Sequence, residues 1–383
     1  MKRVNSYLEN NKWMLPLVIL FIFLLSRLLM YLVFIVWQYV NNVDIFIFDR
    51  MNNWDAGWYK SIVTDGYAPA PSPDGTGEAN WAFFPLMPLV MRYLIRFTHG
   101  NVNVVTCIAN SLFFLAGLAA SASYICKTRN DYIEALLFCL IYSFGPYSFY
   151  FSIFYSESLF FLFVVLFFIF MNEERYIAMG VVGALASATR NLGVLLVFAV
   201  AVQYTSDYLR RGSGKSLWNY WKEAFKNYRL VLGVALIPLG LFGFMVFLWY
   251  KMGDPLSFAH IQYAWGEHES SLQEVIKALT GRGTRRKIYF ALVGIFGLIG
   301  SIHLARTKRW GESVMGVLFI LVPFSVRTTS LPRYVMGAYL PVLGWTDVFC
   351  KQKAKWLGII LIILALLECV LFYWWLEGKN ILI

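Results

Sequence analysis

The run from Tyr176 to Ser206 decides how this chain threads a membrane, and inside it the interruption Ser187-Ala188-Thr189-Arg190-Asn191 decides how to read the run. It is too long for one ordinary span of roughly 20 residues. Read as a single span, it puts Arg210, Arg211, Lys215, Lys222 and Lys226 on the outer side. That opposes the tendency of Lys and Arg to stay in cytoplasmic loops. Read as two short helices folded back at Arg190, it returns this basic loop to the inner side. Arg306, Lys308 and Arg309, and then Lys351, Lys353 and Lys355, fall on the same side.

Working outward, apolar runs mark further candidate spans at 14–37, 102–125, 133–150, 157–171, 230–250, 288–305, 312–326, 331–349 and 357–376. Together with the folded-back pair they predict an all-α polytopic membrane protein with about eleven membrane-embedded helices, the N-terminus in and the C-terminus out. The expected organisation is one integral-membrane module over 1–383. It has an external loop at 38–101, a cytoplasmic basic loop at 207–229 and a second external loop at 251–287. Lys2, Arg3 and Lys12 followed by the apolar run to Trp37 read as an uncleaved signal anchor that is also the first span. Segment 85–97 reads as an amphipathic helix lying in the interface.

Composition agrees. Of 383 residues, 59% are hydrophobic and only 14% charged, with mean hydropathy +0.59. A soluble domain carries about 25% charged residues, so a soluble enzyme is excluded. The net charge of +11 sits in short loops between apolar runs, which argues for orientation and lipid contact and against nucleic acid. Cys107, Cys126, Cys139, Cys350 and Cys369 are odd in number and show no C-x-x-C spacing. They read as small apolar residues. His99, His260, His268 and His303 lack ligand spacing, although His260 and His268 share a loop with Glu267 and Glu269. No metal or other cofactor is expected.

With the threading fixed, Asp55, Glu157, Arg190, Asp254, Gln262 and Arg333 all fall on the external face. Asp55 lies in Asn53-Trp54-Asp55-Ala56-Gly57-Trp58-Tyr59-Lys60, an acid among three aromatic rings. Such rings can stack on a sugar or anchor a loop among headgroups. Inverting glycosyl transfer needs one carboxylate to take the acceptor hydroxyl proton. Glu157, in Tyr155-Ser156-Glu157-Ser158, opens a helix, where Ser and Glu are also common caps. Arg190 and Arg333 are cations at the membrane edge that need partners; a lipid-linked phosphate is one and Glu157 is another. Arg27, near the middle of the first span, reads as a structural ion pair. Asp254, in Gly253-Asp254-Pro255, reads first as a turn former.

Several short motifs occur in order. They are Trp54-Asp55-x-x-Trp58-Tyr59 with Gly66-Tyr67; Asn80-x-Ala82-Phe83-Phe84-Pro85-x-x-Pro88-Leu89; Tyr155-Ser156-Glu157-Ser158; Thr189-Arg190-Asn191-x-Gly193; Gly253-Asp254-Pro255 with Gln262 and Trp265; and Pro332-Arg333-Tyr334. Together they resemble the second GPI mannosyltransferase family (PIG-V) and its bacterial relatives. The resemblance implies a GT-C type integral-membrane glycosyltransferase that uses a polyprenyl-phosphate sugar donor outside the cytoplasm and needs no metal. It implies Asp55 as base and Arg190 and Arg333 on the donor phosphate. Trp54, Trp58, Tyr59, Glu157, Asp254 and Gln262 become substrate contacts. Ala56 stands where related enzymes often carry a second acid. A short chain without lumenal insertions points to a bacterial cytoplasmic membrane and to a lipid or glycan acceptor of the cell envelope. A transporter or flippase of lipid-linked saccharide is the competing class. It should show pseudo-symmetric halves and polar residues near the midplane, and neither is visible in the sequence.

Overall fold

The computed structural model describes residues 2–72, 76–211, 216–265, 277, 280, 283–326 and 330–379. Among these residues there is helix and turn but no strand. The principal helices are α1 (Met14–Asn41), α2 (Asp55–Thr64), α3 (Leu86–Thr98), α4 (Val102–Arg129), α5 (Tyr132–Phe144), α6 (Glu157–Asn172), α7 (Tyr176–Thr189) and α8 (Leu196–Arg211). They continue as α9 (Leu217–Lys226), α10 (Tyr228–Leu236), α11 (Leu239–Met252), α12 (Arg285–Arg306), α13 (Trp310–Val326), α14 (Leu331–Gly337), α15 (Leu340–Phe349) and α16 (Ala354–Leu376).

α1, α4, α12, α16 and the segment Asn191–Arg211 are long and apolar enough to cross a membrane. α10 and α11 together are long and apolar enough for one further span, bent by 41°. The bend falls at Pro238, which cannot donate a backbone hydrogen bond. Four shorter apolar helices fill the bundle, and the chain is a multi-pass membrane protein.

The expected break at Arg190 is present. α7 ends there, Arg190 is extended (φ −152°, ψ 143°), and a 3-10 turn at Asn191–Leu195 leads into α8. Tyr176 at the start of α7 and Arg210 and Arg211 at the end of α8 line one cleft, while Thr189, Arg190 and Asn191 line another. The chain therefore runs out and folds back. Backbones approach closely behind this hairpin. A Cβ on Gly180 of α7 would meet the carbonyl oxygen of Gly233 in α10 at 2.2 Å, so only glycine permits the contact.

Two expected spans are broken. The 133–150 run stops being helical at Phe144, where Gly145-Pro146 follows. The 331–349 run divides into α14 and α15 around Ala338 and Tyr339, with Pro341 in the first turn of the second piece. Short pieces of this kind are tolerated in a bilayer only where other protein surrounds them. Here Arg27 and Glu368 contribute to that surrounding at residues 148–152. Arg27 donates to Ser152 Oγ at 2.7 Å and Ser148 Oγ at 2.6 Å, and Glu368 accepts the N–H groups of Ser148 and Phe149 at 3.1 and 2.8 Å. Arg27 is thus held mainly by serine hydroxyls.

Candidate functional site

Trp54 has φ 57° and ψ −119°, a conformation few side chains adopt. It turns the chain so that Asp55 is the first residue of α2, where the helix N-terminus favours a carboxylate. Buried Ala56, Tyr59, Ile62 and Val63 press α2 onto the core. Tyr155 meets it from the other side. Its hydroxyl accepts the N–H of Asp55 at 3.3 Å and reaches the carbonyl of Asn53 at 3.4 Å.

Two asparagines fix the segment that carries Tyr155 and Glu157. Asn110, fully buried in the apolar helix α4, donates to the carbonyls of Ile153 and Tyr155. Asn52 accepts the N–H of Phe154 at 2.8 Å. Ser156 precedes α6 without capping it, and Ser158 donates to the carbonyl of Phe151 at 2.8 Å. Glu157 is left free to face the cations.

Four charged side chains then meet. Arg333 Nη1 donates to Asp55 Oδ2 at 2.6 Å, and its Nε lies 3.3 Å from Glu157 Oε1. Arg190 Nη1 donates to the same Glu157 oxygen at 2.7 Å. Two carboxylates balance two guanidiniums. Asp55 retains 18% side-chain exposure and Glu157 only 2%. Tyr334 lies under both guanidiniums, 5.2 Å from Arg190 and 5.5 Å from Arg333, and Tyr155 lies 5.1 Å from Arg333. Charges this well buried persist because each is paired, while Glu157 Oε2 and Arg333 Nε are buried without a hydrogen bond.

The group opens into a cavity of about 150 Å³ lined by Asp55, Tyr59, Phe83, Glu157, Arg190, Gln262, Arg333 and neighbouring residues. Of the residues singled out in the sequence, Asp55, Tyr59, Glu157, Arg190, Gln262 and Arg333 line it. Trp58 stacks on Phe83, 6.3 Å between ring centroids, and so supports the wall from behind. Trp54 is 41% exposed and does not line it. Asp254 does not line it either. Its carboxylate accepts the N–H of Leu256 at 2.9 Å and pairs with His260 at 2.8 Å. The Leu256 N–H and His260 hold that carboxyl below its ordinary range. Asp254 thus makes the turn that its place before proline suggests. His268, Glu267, Glu269, Thr328 and Thr329 lie outside the described residues.

Sequence reasoning missed Asn52, Asn110 and the bonding role of Tyr155. A buried amide in the middle of an apolar helix is the signal that could have found Asn110.

The described residues thus form a helical membrane bundle with short broken helices, a polar site gathered at one end and an acid at the start of an ordered loop helix. Two solved structures share the fold. Archaeal oligosaccharyltransferase AglB from Archaeoglobus fulgidus, in complex with an inhibitory peptide and a dolichol-phosphate, aligns with a TM-score of 0.52 at 11% identity, covering 96% of this chain. The apo form of the Archaeoglobus fulgidus oligosaccharyltransferase aligns with a TM-score of 0.51 at 11% identity, covering 94% of this chain. The chain spans 56% of the length of each of these structures. By sequence it is 24% identical over 353 residues to GPI mannosyltransferase 2 of Schizosaccharomyces pombe, covering 87% of this chain and 72% of that protein. No family model matches the chain. These likenesses support a membrane-embedded glycosyltransferase of the GT-C type.

Proposed function

We propose that the protein is an inverting glycosyltransferase, of mannosyltransferase kind, that moves a sugar from a polyprenyl-phosphate donor to a lipid-linked or cell-envelope acceptor at the extracytoplasmic face of a bacterial membrane. The observation that carries this reading is the meeting of Asp55, Glu157, Arg190 and Arg333 in one ring-lined cavity. A dolichol-phosphate bound to the archaeal structural neighbour supports a lipid-phosphate donor.

The chemistry follows from the contacts. The acceptor hydroxyl oxygen attacks the anomeric carbon of the donor sugar. The bond from that carbon to the phosphate oxygen breaks, its electron pair leaves with the polyprenyl phosphate, and the hydroxyl proton passes to Asp55. Arg190 and Arg333 hold the phosphate and offset the charge that grows on it. Arg333 has a second duty, because it also binds the base. A donor phosphate that draws Arg333 toward itself opens the Asp55 carboxylate to the acceptor hydroxyl. Glu157 keeps both guanidiniums oriented throughout. Tyr59 and Phe83 face the sugar, with Gln262 as a polar contact.

The test is transfer of labelled sugar from synthetic polyprenyl-phosphate mannose by purified protein with membrane lipid extract. Label should reach an acceptor with wild type and not with Asp55→Asn. Equal transfer by both would remove Asp55 as the base. No transfer by either, across a panel of polyprenyl-phosphate sugars, would remove the donor class.

A further inference from the structure

The end of the bundle opposite Asp55 holds a second, larger cleft of about 440 Å³. Several segments join the two. Glu157 of α6 lines the first, and Met171 and Asn172 at the end of α6 line the second. Pro323 and Glu312 of α13 divide in the same way, as do Asn191 and Arg211 on either end of the α8 segment. At 1.5 Å per residue, α6 alone sets the clefts roughly 20 Å apart. The second cleft therefore belongs to the other membrane face and takes no part in the transfer proposed above.

Its lining gathers Arg129, Arg210, Arg211, Lys308 and Arg309. Three of these have acidic partners. Arg129 is held by Glu134 and Asp347, and Arg210 by Asp207 at 2.8 Å. Arg309 forks onto Glu312 through Nε at 2.5 Å and Nη2 at 2.8 Å. Its remaining nitrogen, Nη1, is buried without a hydrogen bond on a side chain only 10% exposed, with the Tyr124 ring 5.1 Å from the guanidinium. A buried guanidinium nitrogen with no acceptor is costly and calls for one. Arg211 and Lys308 are exposed in the same lining, and Glu174 is its remaining acid.

The neighbouring helix fixes the level of this cleft relative to a bilayer. Tyr204 in the cleft wall packs on Tyr220 and Trp221 of α9, with ring centroids 4.5 and 5.2 Å apart. The other face of α9 exposes Trp218 and Phe225, each at 67%, with Lys222 5.5 Å above the Trp218 ring. A short helix that shows large aromatic rings beside a lysine lies at the headgroup layer, its rings in the acyl boundary and its cation among phosphates. A cleft walled by that helix opens at the same depth.

We infer that this cleft binds the phosphate headgroup of an anionic membrane lipid, with Arg211, Lys308 and the Arg309 guanidinium as donors. Guanidiniums match phosphate oxygens in fork geometry, and a phosphate here adds an acceptor for Arg309 Nη1 beside Tyr124. The inference stands apart from the glycosyl transfer reading, and its test reads binding alone.

The full-length protein, purified in detergent, is titrated with short-chain phosphatidylglycerol, with phosphatidylcholine and with inorganic phosphate, and followed by native mass spectrometry and melting temperature. Phosphatidylglycerol should be retained through delipidation and should raise the melting temperature; the other two should not. The double variant Arg211→Gln/Lys308→Gln changes two exposed side chains and should melt like wild type without lipid. It should bind phosphatidylglycerol at least about tenfold more weakly, since each cation near a headgroup contributes on the order of 1 kcal/mol. Arg229→Gln, an exposed cation outside the cleft lining, should bind like wild type. Unchanged affinity in the double variant, or equal retention of phosphatidylcholine, overturns the inference. An equal response to inorganic phosphate overturns the lipid as the source of the phosphate.

Discussion

In the Asp55 cleft the ion pairs join distant parts of the chain, whereas at the opposite end most of those lining the cleft join neighbours. Arg333 reaches back 278 residues to Asp55, and Arg190 reaches 33 residues to Glu157. Arg309–Glu312 and Arg210–Asp207 are three residues apart on single helices. A long-range pair forms only when the helices have packed, so it records and enforces tertiary structure. A pair three residues apart can form within its own helix turn and leaves neighbouring cations available to a ligand. The first arrangement suits a group held in one geometry for reaction, and the second suits exchangeable binding at a membrane surface.

The largest expected effect is on chemistry. Asp55→Asn should lower transfer by about a thousandfold, in the range of a lost general base, with a fall in melting temperature no larger than that of Arg190→Gln, since the Asn oxygen still accepts from Arg333. Preserved activity would reduce the Asp55–Arg333 contact to a structural tie. Arg190→Gln leaves Glu157 with Arg333 alone and should cost roughly 3 kcal/mol of stability as a broken buried pair. It should also lower transfer by about a hundredfold through weaker phosphate stabilisation, measured by denaturation and initial rates in parallel.

Double-mutant cycles then compare the two ends directly. Arg190 with Glu157 should show a coupling of about 1–3 kcal/mol. Arg210 with Asp207, exposed and local, should show about 0.5 kcal/mol or less. Equal couplings would erase the contrast between the clefts.

The smallest effect is expected at Asp254. Asp254→Asn should leave transfer within about twofold of wild type, because the side chain stabilises a turn outside the cavity. Its folded carboxyl titrates below the ordinary range, so its contribution to stability is present above that range and lost as pH falls through the lowered value. The variant should lose that acid-side slope in a pH series of melting temperatures.

Much of this was legible in the sequence for identifiable reasons. The break at Arg190 showed because a polar interruption in an overlong apolar run has few solutions in a bilayer. The same break placed Asp55, Glu157, Arg190 and Arg333 on one face, and the structure brings the four together. The ends at Phe144 and Ala338 were hidden because hydropathy does not distinguish a straight span from two pieces buried by other helices. Gly145-Pro146 and Pro341 carry that information. The pairing of Arg333 with Asp55 had no local signal, since contacts between side chains 278 residues apart depend on the packed bundle. Trp54 and Asp254 stand in the motifs but lie outside the cavity lining. Trp54 turns the chain into α2 with a positive φ, and Asp254 accepts the Leu256 N–H in its own turn.

The central claim is that Asp55 is the base that takes the acceptor proton in the cavity it shares with Arg190 and Arg333. Single-turnover transfer from polyprenyl-phosphate mannose in proteoliposomes, wild type beside Asp55→Asn, tests this most directly. The account predicts labelled product from wild type and none from the variant, with both proteins binding the donor. Product formed by Asp55→Asn at a rate near wild type would contradict it.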